Sequence, residues 1–201
     1  MLLASLKVGN LCCNQPPVKK LVTFGSQHNG ITQFNNCEDS GLGPFVCAAW
    51  EGLLETQTWT SFVQSKLVPA QYYRSLDDLE SYLEYSNWLA DLNNERVVKN
   101  QTHRENLQRL ERFWMYMFTE DTVVVPPESA WFDDVVEKDG ERNVTGLRDR
   151  ALYKEDWLGL KKLDQEGRLE LKLAEGGHMT ITEELLTGVF EMMYAEHKEE
   201  L

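Results

Sequence analysis

The chain has 201 residues, of which 42% are hydrophobic, and carries a formal net charge of -13 at neutral pH. That length and apolar content suffice for one domain with a sizeable core and room for an inserted subdomain. The negative charge excludes nucleic acid and anionic membrane surfaces as partners, because phosphate is repelled at long range.

No apolar run is long enough to span a bilayer, which excludes stable membrane insertion. The opening Met1-Leu2-Leu3-Ala4-Ser5-Leu6 is cut short by Lys7 and makes a poor signal peptide. The first segment ends in the rigid Cys12-Cys13-Asn14-Gln15-Pro16-Pro17 and carries no chemistry. Val18 to Phe24 is apolar, rich in β-branched residues and stopped by Gly25, which predicts a buried strand followed by the loop Gly25-Ser26-Gln27-His28-Asn29-Gly30. Ser26 follows Gly25 directly with no glycine two residues on, so it is a turn residue and not the nucleophile of a G-x-S-x-G elbow.

Four cysteines are too few to define a disulfide scaffold. Cys37 and Cys47 bracket a short loop containing glycine and proline. They are either a disulfide, contributing roughly 3 kcal/mol in the chain-entropy model, or two buried thiols. Beyond them, Val46, Trp50, Leu53 and Leu54 recur at helical spacing, as do Trp59, Phe62, Val63 and Leu67 before Pro69 ends the run. Tyr72, Tyr73, Leu79, Tyr82, Leu83, Trp88 and Leu89 continue an aromatic, largely helical stretch. So much helix between strands is more than a crossover needs. It is either a cap whose apolar inner face makes a pocket or simply core.

Thr102 and Glu105 have capping-box spacing, and Leu107, Leu110 and Trp114 give the next helix a buried side. Phe113 to Phe118 is an apolar block short enough for a strand covered on both faces. It breaks at Thr119-Glu120-Asp121, which sets Asp121 just past the carboxyl end of a central strand. From Val123 to Arg150 the chain is Pro-rich, then acidic, and reads as a long surface excursion pinned by Trp131 and Phe132. Asn100-Gln101-Thr102 and Asn143-Val144-Thr145 are N-glycosylation sequons, relevant only to a secreted protein.

Leu169, Leu171 and Leu173 alternate with Glu170 and Lys172, the pattern of a strand near a sheet edge. It ends at Glu175-Gly176-Gly177-His178, where two glycines permit a tight turn that presents His178 above the strand's carboxyl end. Open α/β sheets keep their chemistry there. Thr182 can cap a final helix with Glu183 and Glu184 in its first turn, an apolar stripe of Leu185, Leu186, Val189, Phe190 and Met193, and His197 and Lys198 near its end. A histidine in a glycine turn is often merely structural, and an aspartate after a strand is often a cap. The two together on adjoining loops admit another reading, because a carboxylate can then orient an imidazole.

From about Val18 to the end, the chain resembles the palmitoyl-protein thioesterases, a family of α/β-hydrolases that remove long acyl chains from cysteine. The resemblance rests on Gly25 to Gly30, on Leu67-Val68-Pro69-Ala70-Gln71-Tyr72-Tyr73, on Trp88-Leu89-Ala90-Asp91-Leu92-Asn93-Asn94-Glu95-Arg96, and on Asp156-Trp157-Leu158-Gly159-Leu160 leading to Glu175-Gly176-Gly177-His178. It implies the C-terminal part of an α/β-hydrolase fold across residues 1–201, with a short parallel sheet and a helical cap inserted at residues 43–100, of which Gly43 to Asn87 houses the acyl chain. It implies His178 as general base, Asp121 as the acid that orients it, Gln27 beside the site, a Cys37–Cys47 disulfide, and a glycan on Asn100. It also implies an S-acylated protein or peptide substrate, a lysosomal, vacuolar or secretory location, and no metal or other cofactor.

The chain departs from the family in one respect above all. Members carry a G-x-S-x-G elbow on the strand before the one at Val18 to Phe24, and this sequence holds no such motif. The oxyanion-hole strands are missing as well, and Cys13 lacks its family partner. The expectation is an N-terminally truncated chain with a bare strand edge, unstable and inactive when expressed alone. Within enzymes the alternative is a lipase-like esterase, and outside them a non-catalytic acyl-chain-binding protein.

Overall fold

The structure, a computed structural model, describes residues 18–33, 52 and 56–194. Cys12, Cys13, Cys37, Cys47, the stripe from Val46 to Leu54, and His197 with Lys198 lie outside the described residues. Strand β1, Lys20–Phe24, is followed by helices α1 (Ser61–Lys66), α2 (Val68–Tyr72), α3 (Leu79–Tyr85), α4 (Leu89–Leu92) and α5 (Gln101–Gln108). Then come β2 (Arg112–Phe118), a 3-10 turn at Pro127–Trp131, β3 (Asp134–Lys138) and β4 (Glu141–Thr145). After a second 3-10 turn at Leu147–Asp149, the chain ends in α6 (Ala151–Lys154), α7 (Leu160–Gln165), β5 (Leu169–Ala174) and α8 (Glu183–Tyr194).

β1, β2 and β5 form a three-stranded sheet with β2 in the middle. All pairings are parallel, with Leu21 opposite Phe113 and Phe113 opposite Leu169. Successive β2 side chains alternate between two cores, as a pleated strand requires. Phe113 and Met115 join Leu21, Leu169 and the helices that follow β1 and β4, while Trp114, Tyr116 and Phe118 face α8 on the other side. A continuous apolar run therefore reads correctly as a strand covered on both faces. Among the described residues β5 pairs with β2 alone, as an edge strand does, but the leucine face is not covered along its length: Leu169 is buried, whereas Leu173 is 58% exposed. β1 alternates as well, with Leu21 and Thr23 buried and the residues between them half-buried. Among the described residues it pairs with β2 alone.

Several expectations are corrected. Residues 123–150 are not a surface excursion: Val124, Ala130, Phe132, Val135, Leu147 and Arg150 are buried, and the Trp131 indole donates to the Met115 carbonyl at 2.9 Å. Their centre is a hairpin closed by Asp139-Gly140, both with positive φ (55° and 79°), as a two-residue type I′ turn demands. The cap of α5 is Asn100, whose Oδ1 accepts from the Thr102 amide at 3.0 Å, and Thr102 lies inside the helix. Pro69 does not simply end a run; it opens α2, where a missing amide hydrogen does no harm. On α8 the face against the sheet is Leu185, Val189, Met192 and Met193, while Leu186 and Phe190 of the expected stripe are 40% and 50% exposed.

A buried ionic cluster ties the helical segment after β1 to the hairpin. Arg74 donates to Glu95 at 2.9 Å and to Asp134 at 2.7 Å; Arg150 reaches the same two carboxylates at 3.3 and 2.9 Å. The Tyr82 hydroxyl donates to Glu95, and Arg150 donates to the Asn29 side chain at 2.7 Å. Burial opposes charge on Arg74, yet Glu95 and Asp134 hold its guanidinium above the ordinary value. Burial pulls Arg150 down, helped by the positive charge of Arg74. Asn29 carries the cluster into the loop after β1, so that loop is fixed from three sides.

Candidate active site at the carboxyl ends of the strands

The pairing between β2 and β5 continues past both strands. The Thr119 amide donates to the Ala174 carbonyl and the Glu120 amide to the Gly176 carbonyl, each at 3.0 Å. The loops bearing Asp121 and His178 are thus held side by side. Gly176 has a φ of 98°, and a Cβ there would stand about 3.0 Å from the Thr180 side chain, so the turn accepts only glycine without distortion.

Asp121 is fully engaged. Oδ1 accepts from the amides of Val123 and Val124, both at 2.9 Å, and Oδ2 accepts from His178 Nδ1 at 2.8 Å. The side chain of Asp121 is 1% exposed and that of His178 26%. A carboxylate can only accept, so the proton of the neutral ring resides on Nδ1, and Nε2 keeps its lone pair. The Phe118 ring lies 6.3 Å from the imidazole at 67°, bracing it at an edge. Together these fix an imidazole whose basic nitrogen is partly open to solvent, the arrangement of a general base with its orienting acid.

Gly25, at the end of β1, completes this site from below. A Cβ at Gly25 would lie 3.1 Å from Asp121 Oδ2, 3.1 Å from His178 Nδ1 and 3.0 Å from Phe118, and its φ is 50°. The sequence marks Gly25 as a strand stop that opens a candidate site loop; nothing in the local pattern shows that its bare face touches the pair. Gly25→Ala is expected to lose ~1–2 kcal/mol of stability from the left-handed backbone alone and to displace the His178–Asp121 hydrogen bond, read by thermal unfolding and by the His178 ring signals in NMR.

Of the other candidate residues, Gln27 follows Gly25 by two positions on the same loop, and its side chain hydrogen-bonds Tyr72. Burial pushes the Tyr72 phenol up, and this bond partly offsets the shift. Gln27 is half-buried, and the hydrogen bonds of the His178–Asp121 pair do not include it. Asn100 is exposed at the start of α5, where Oδ1 serves as the cap. Ser26 remains a turn residue, its carbonyl accepting from the His28 amide at 2.7 Å. No group of three metal-ligating side chains occurs among the described residues, and no helix among them is long and apolar enough to cross a membrane.

A family model described as palmitoyl protein thioesterase matches residues 10–178, a span that closes on the candidate histidine. Palmitoyl-protein thioesterase 1 of Caenorhabditis elegans is 35% identical over 175 residues, covering 87% of this chain and 57% of that protein. Palmitoyl-protein thioesterase 3 of Dictyostelium discoideum is 36% identical over 157 residues, covering 78% and 51% respectively. Lysosomal thioesterase PPT2-B of Xenopus laevis matches over a shorter stretch, 34% identical across 106 residues, 52% of this chain and 36% of that protein. The chain thus spans about half the length of the first two relatives.

Proposed function

The chain belongs to the palmitoyl protein thioesterase family, and we propose that it carries the acid–base half of a Ser-His-Asp hydrolase that cleaves long-chain acyl thioesters of cysteine in proteins. The observation that carries this reading is the 2.8 Å bond from His178 Nδ1 to a fully buried Asp121. The sequence holds no G-x-S-x-G motif, so the nucleophile belongs to a segment outside these residues, and the chain by itself is inactive.

In the completed site, His178 Nε2 takes the hydroxyl proton of the serine as its oxygen attacks the thioester carbonyl. Asp121 holds the ring and stabilises the imidazolium that forms. Collapse of the tetrahedral intermediate breaks the carbon–sulfur bond and expels the cysteine thiolate, a good leaving group that needs little protonation. A water then gives its proton to Nε2 and attacks the acyl-serine, releasing the fatty acid and restoring the serine. Gln27 lies on the loop next to this chemistry, and the segment from Gly43 to Asn87 is the part proposed to house the acyl chain.

A Cys37–Cys47 disulfide and a glycan on Asn100 belong to the same reading. Capping by Asn100 uses Oδ1 and leaves the amide nitrogen for a sugar. The relative named a lysosomal thioesterase favours a lysosomal location.

Turnover of a palmitoyl-cysteine peptide by this chain alone and by the chain joined to a G-x-S-x-G-bearing amino-terminal segment tests the proposal. Fatty-acid release from the joined protein only is expected. Equal release by the chain alone, or none from a folded joined protein, contradicts it. The missing elbow also favours a second reading, an acyl-binding protein, which a palmitate titration without turnover would support.

A further inference from the structure

An open groove of about 870 Å³ lies on the helical segment away from the His178–Asp121 pair, and its floor is apolar. Leu79 and Leu83 supply it from one row of α3, and Val97 and Val98 from the bend that follows α4. Val97 is 96% exposed and Val98 88%, while Leu79 is 38% exposed. Two adjacent valines left almost wholly in water, beside a leucine row, form an apolar patch whose covering would release ordered solvent.

The rim selects the occupant by charge. Glu80 and Glu84 stand one helical turn apart on α3, both exposed, and neither forms a salt bridge among the described residues. The cation at the groove, Arg96, is already consumed: it pairs with Asp91 at 2.5 Å and donates to the carbonyls of Leu83 at 2.7 Å and Ser86 at 2.5 Å. Glu95, at the inner end, is neutralised by Arg74 and Arg150. Two carboxylates with no cation paired to them among the described residues therefore border an apolar trough on a chain of net charge -13. A second copy of the chain would bring the same negative charge against itself and is disfavoured.

We infer that this groove docks a cationic, amphipathic segment of a partner protein, its apolar side chains on Leu79, Leu83, Val97 and Val98 and its lysines or arginines against Glu80 and Glu84. The carboxylates steer the approach and set orientation, and the apolar floor supplies the affinity. None of these residues belongs to the His178–Asp121 pair, but Leu79 to Glu84 lie in the insertion that the thioesterase reading gives to the acyl chain, so displacement of the bound peptide by palmitate would make the acyl chain the occupant and overturn the inference.

The probe is a dye-labelled peptide whose lysines and leucines are spaced to share one face of a helix, with a sibling in which glutamate replaces every lysine. Anisotropy titrations of the whole chain should show binding of the first, little of the second, and weakening as salt is added. The double variant Glu80→Lys/Glu84→Lys, changed at exposed positions, should weaken binding about tenfold or more, and Val97→Ser/Val98→Ser should do likewise with unchanged circular dichroism. Binding unaffected by the charge reversal overturns the inference. So does a dimer in sedimentation that Val97→Ser/Val98→Ser turns into monomer, which would make a second copy the occupant.

Discussion

In a chain joined to a G-x-S-x-G-bearing segment, as proposed above, His178→Ala is expected to lower palmitoyl-thioester turnover on the order of a million-fold, the loss seen when the base of a serine triad is removed. The reason is local. In the proposed site His178 supplies the nitrogen that takes the serine proton, and its orientation rests on one bond to Asp121 at 2.8 Å. Asp121→Asn should cost roughly 10⁴-fold, because an amide of the same shape can donate to Nδ1 and so move the ring proton to Nε2, where it blocks the base. Single-turnover kinetics on the acylated peptide separate the two: substrate binding should be little changed in both variants, since neither residue is proposed to hold the acyl chain. A drop confined to binding would contradict the assigned roles.

The second large effect falls on stability. Arg74→Ala is expected to destabilise the fold by about 3–5 kcal/mol, because it leaves the buried Glu95 and the half-buried Asp134 with Arg150 as their one cation among the described residues. The side chains of Arg74 and Glu95 are 5% and 4% exposed, so solvent cannot take over the lost charge. Removing both members together, as Arg74→Met/Glu95→Leu, should cost less than the sum of the single changes, since no isolated charge of that pair remains. Denaturant unfolding of the four proteins in this cycle measures the difference, and strict additivity would show that the two groups do not act as a pair. The cluster joins the helical segment (Arg74, Tyr82, Glu95), the loop after β1 (Asn29) and the hairpin (Asp134), so its loss should also loosen the loop that carries Gly25 and Gln27.

The sheet was readable because its strands obey simple periods. Phe113 to Phe118 is apolar at every position since both faces of β2 are covered, and Leu169 to Leu173 alternates since β5 is an edge. The Gly176-Gly177-His178 turn was legible for a related reason: only glycine suits the φ of 98° that follows the strand. That Asp121 and His178 meet was not contained in either local pattern. It depends on β2 and β5 being neighbours, which is assumed when they are read as successive strands and which the extended ladder between Thr119 and Gly176 realises.

Other features were hidden by distance along the chain. Arg150 and Asn29 are 121 positions apart, and no period links Arg74 to Asp134. Gly25 showed its turn but not its contact with the pair. The hairpin was different, because Asp139-Gly140 between alternating residues is a strong local turn signal that the acidic composition around it masked. On α8 the helical period was right, but the face chosen was rotated, since Met192 rather than Phe190 meets the sheet.

The proposed function descends from one hydrogen bond, and that bond can be observed in this chain without any activity. Long-range nitrogen–proton NMR of the histidine rings reports which nitrogen of His178 carries the proton in the neutral form. The account predicts protonation at Nδ1, with that signal moving to Nε2 or averaging when Asp121 is replaced by alanine. A wild-type ring protonated at Nε2, unaffected by the loss of Asp121, would contradict it.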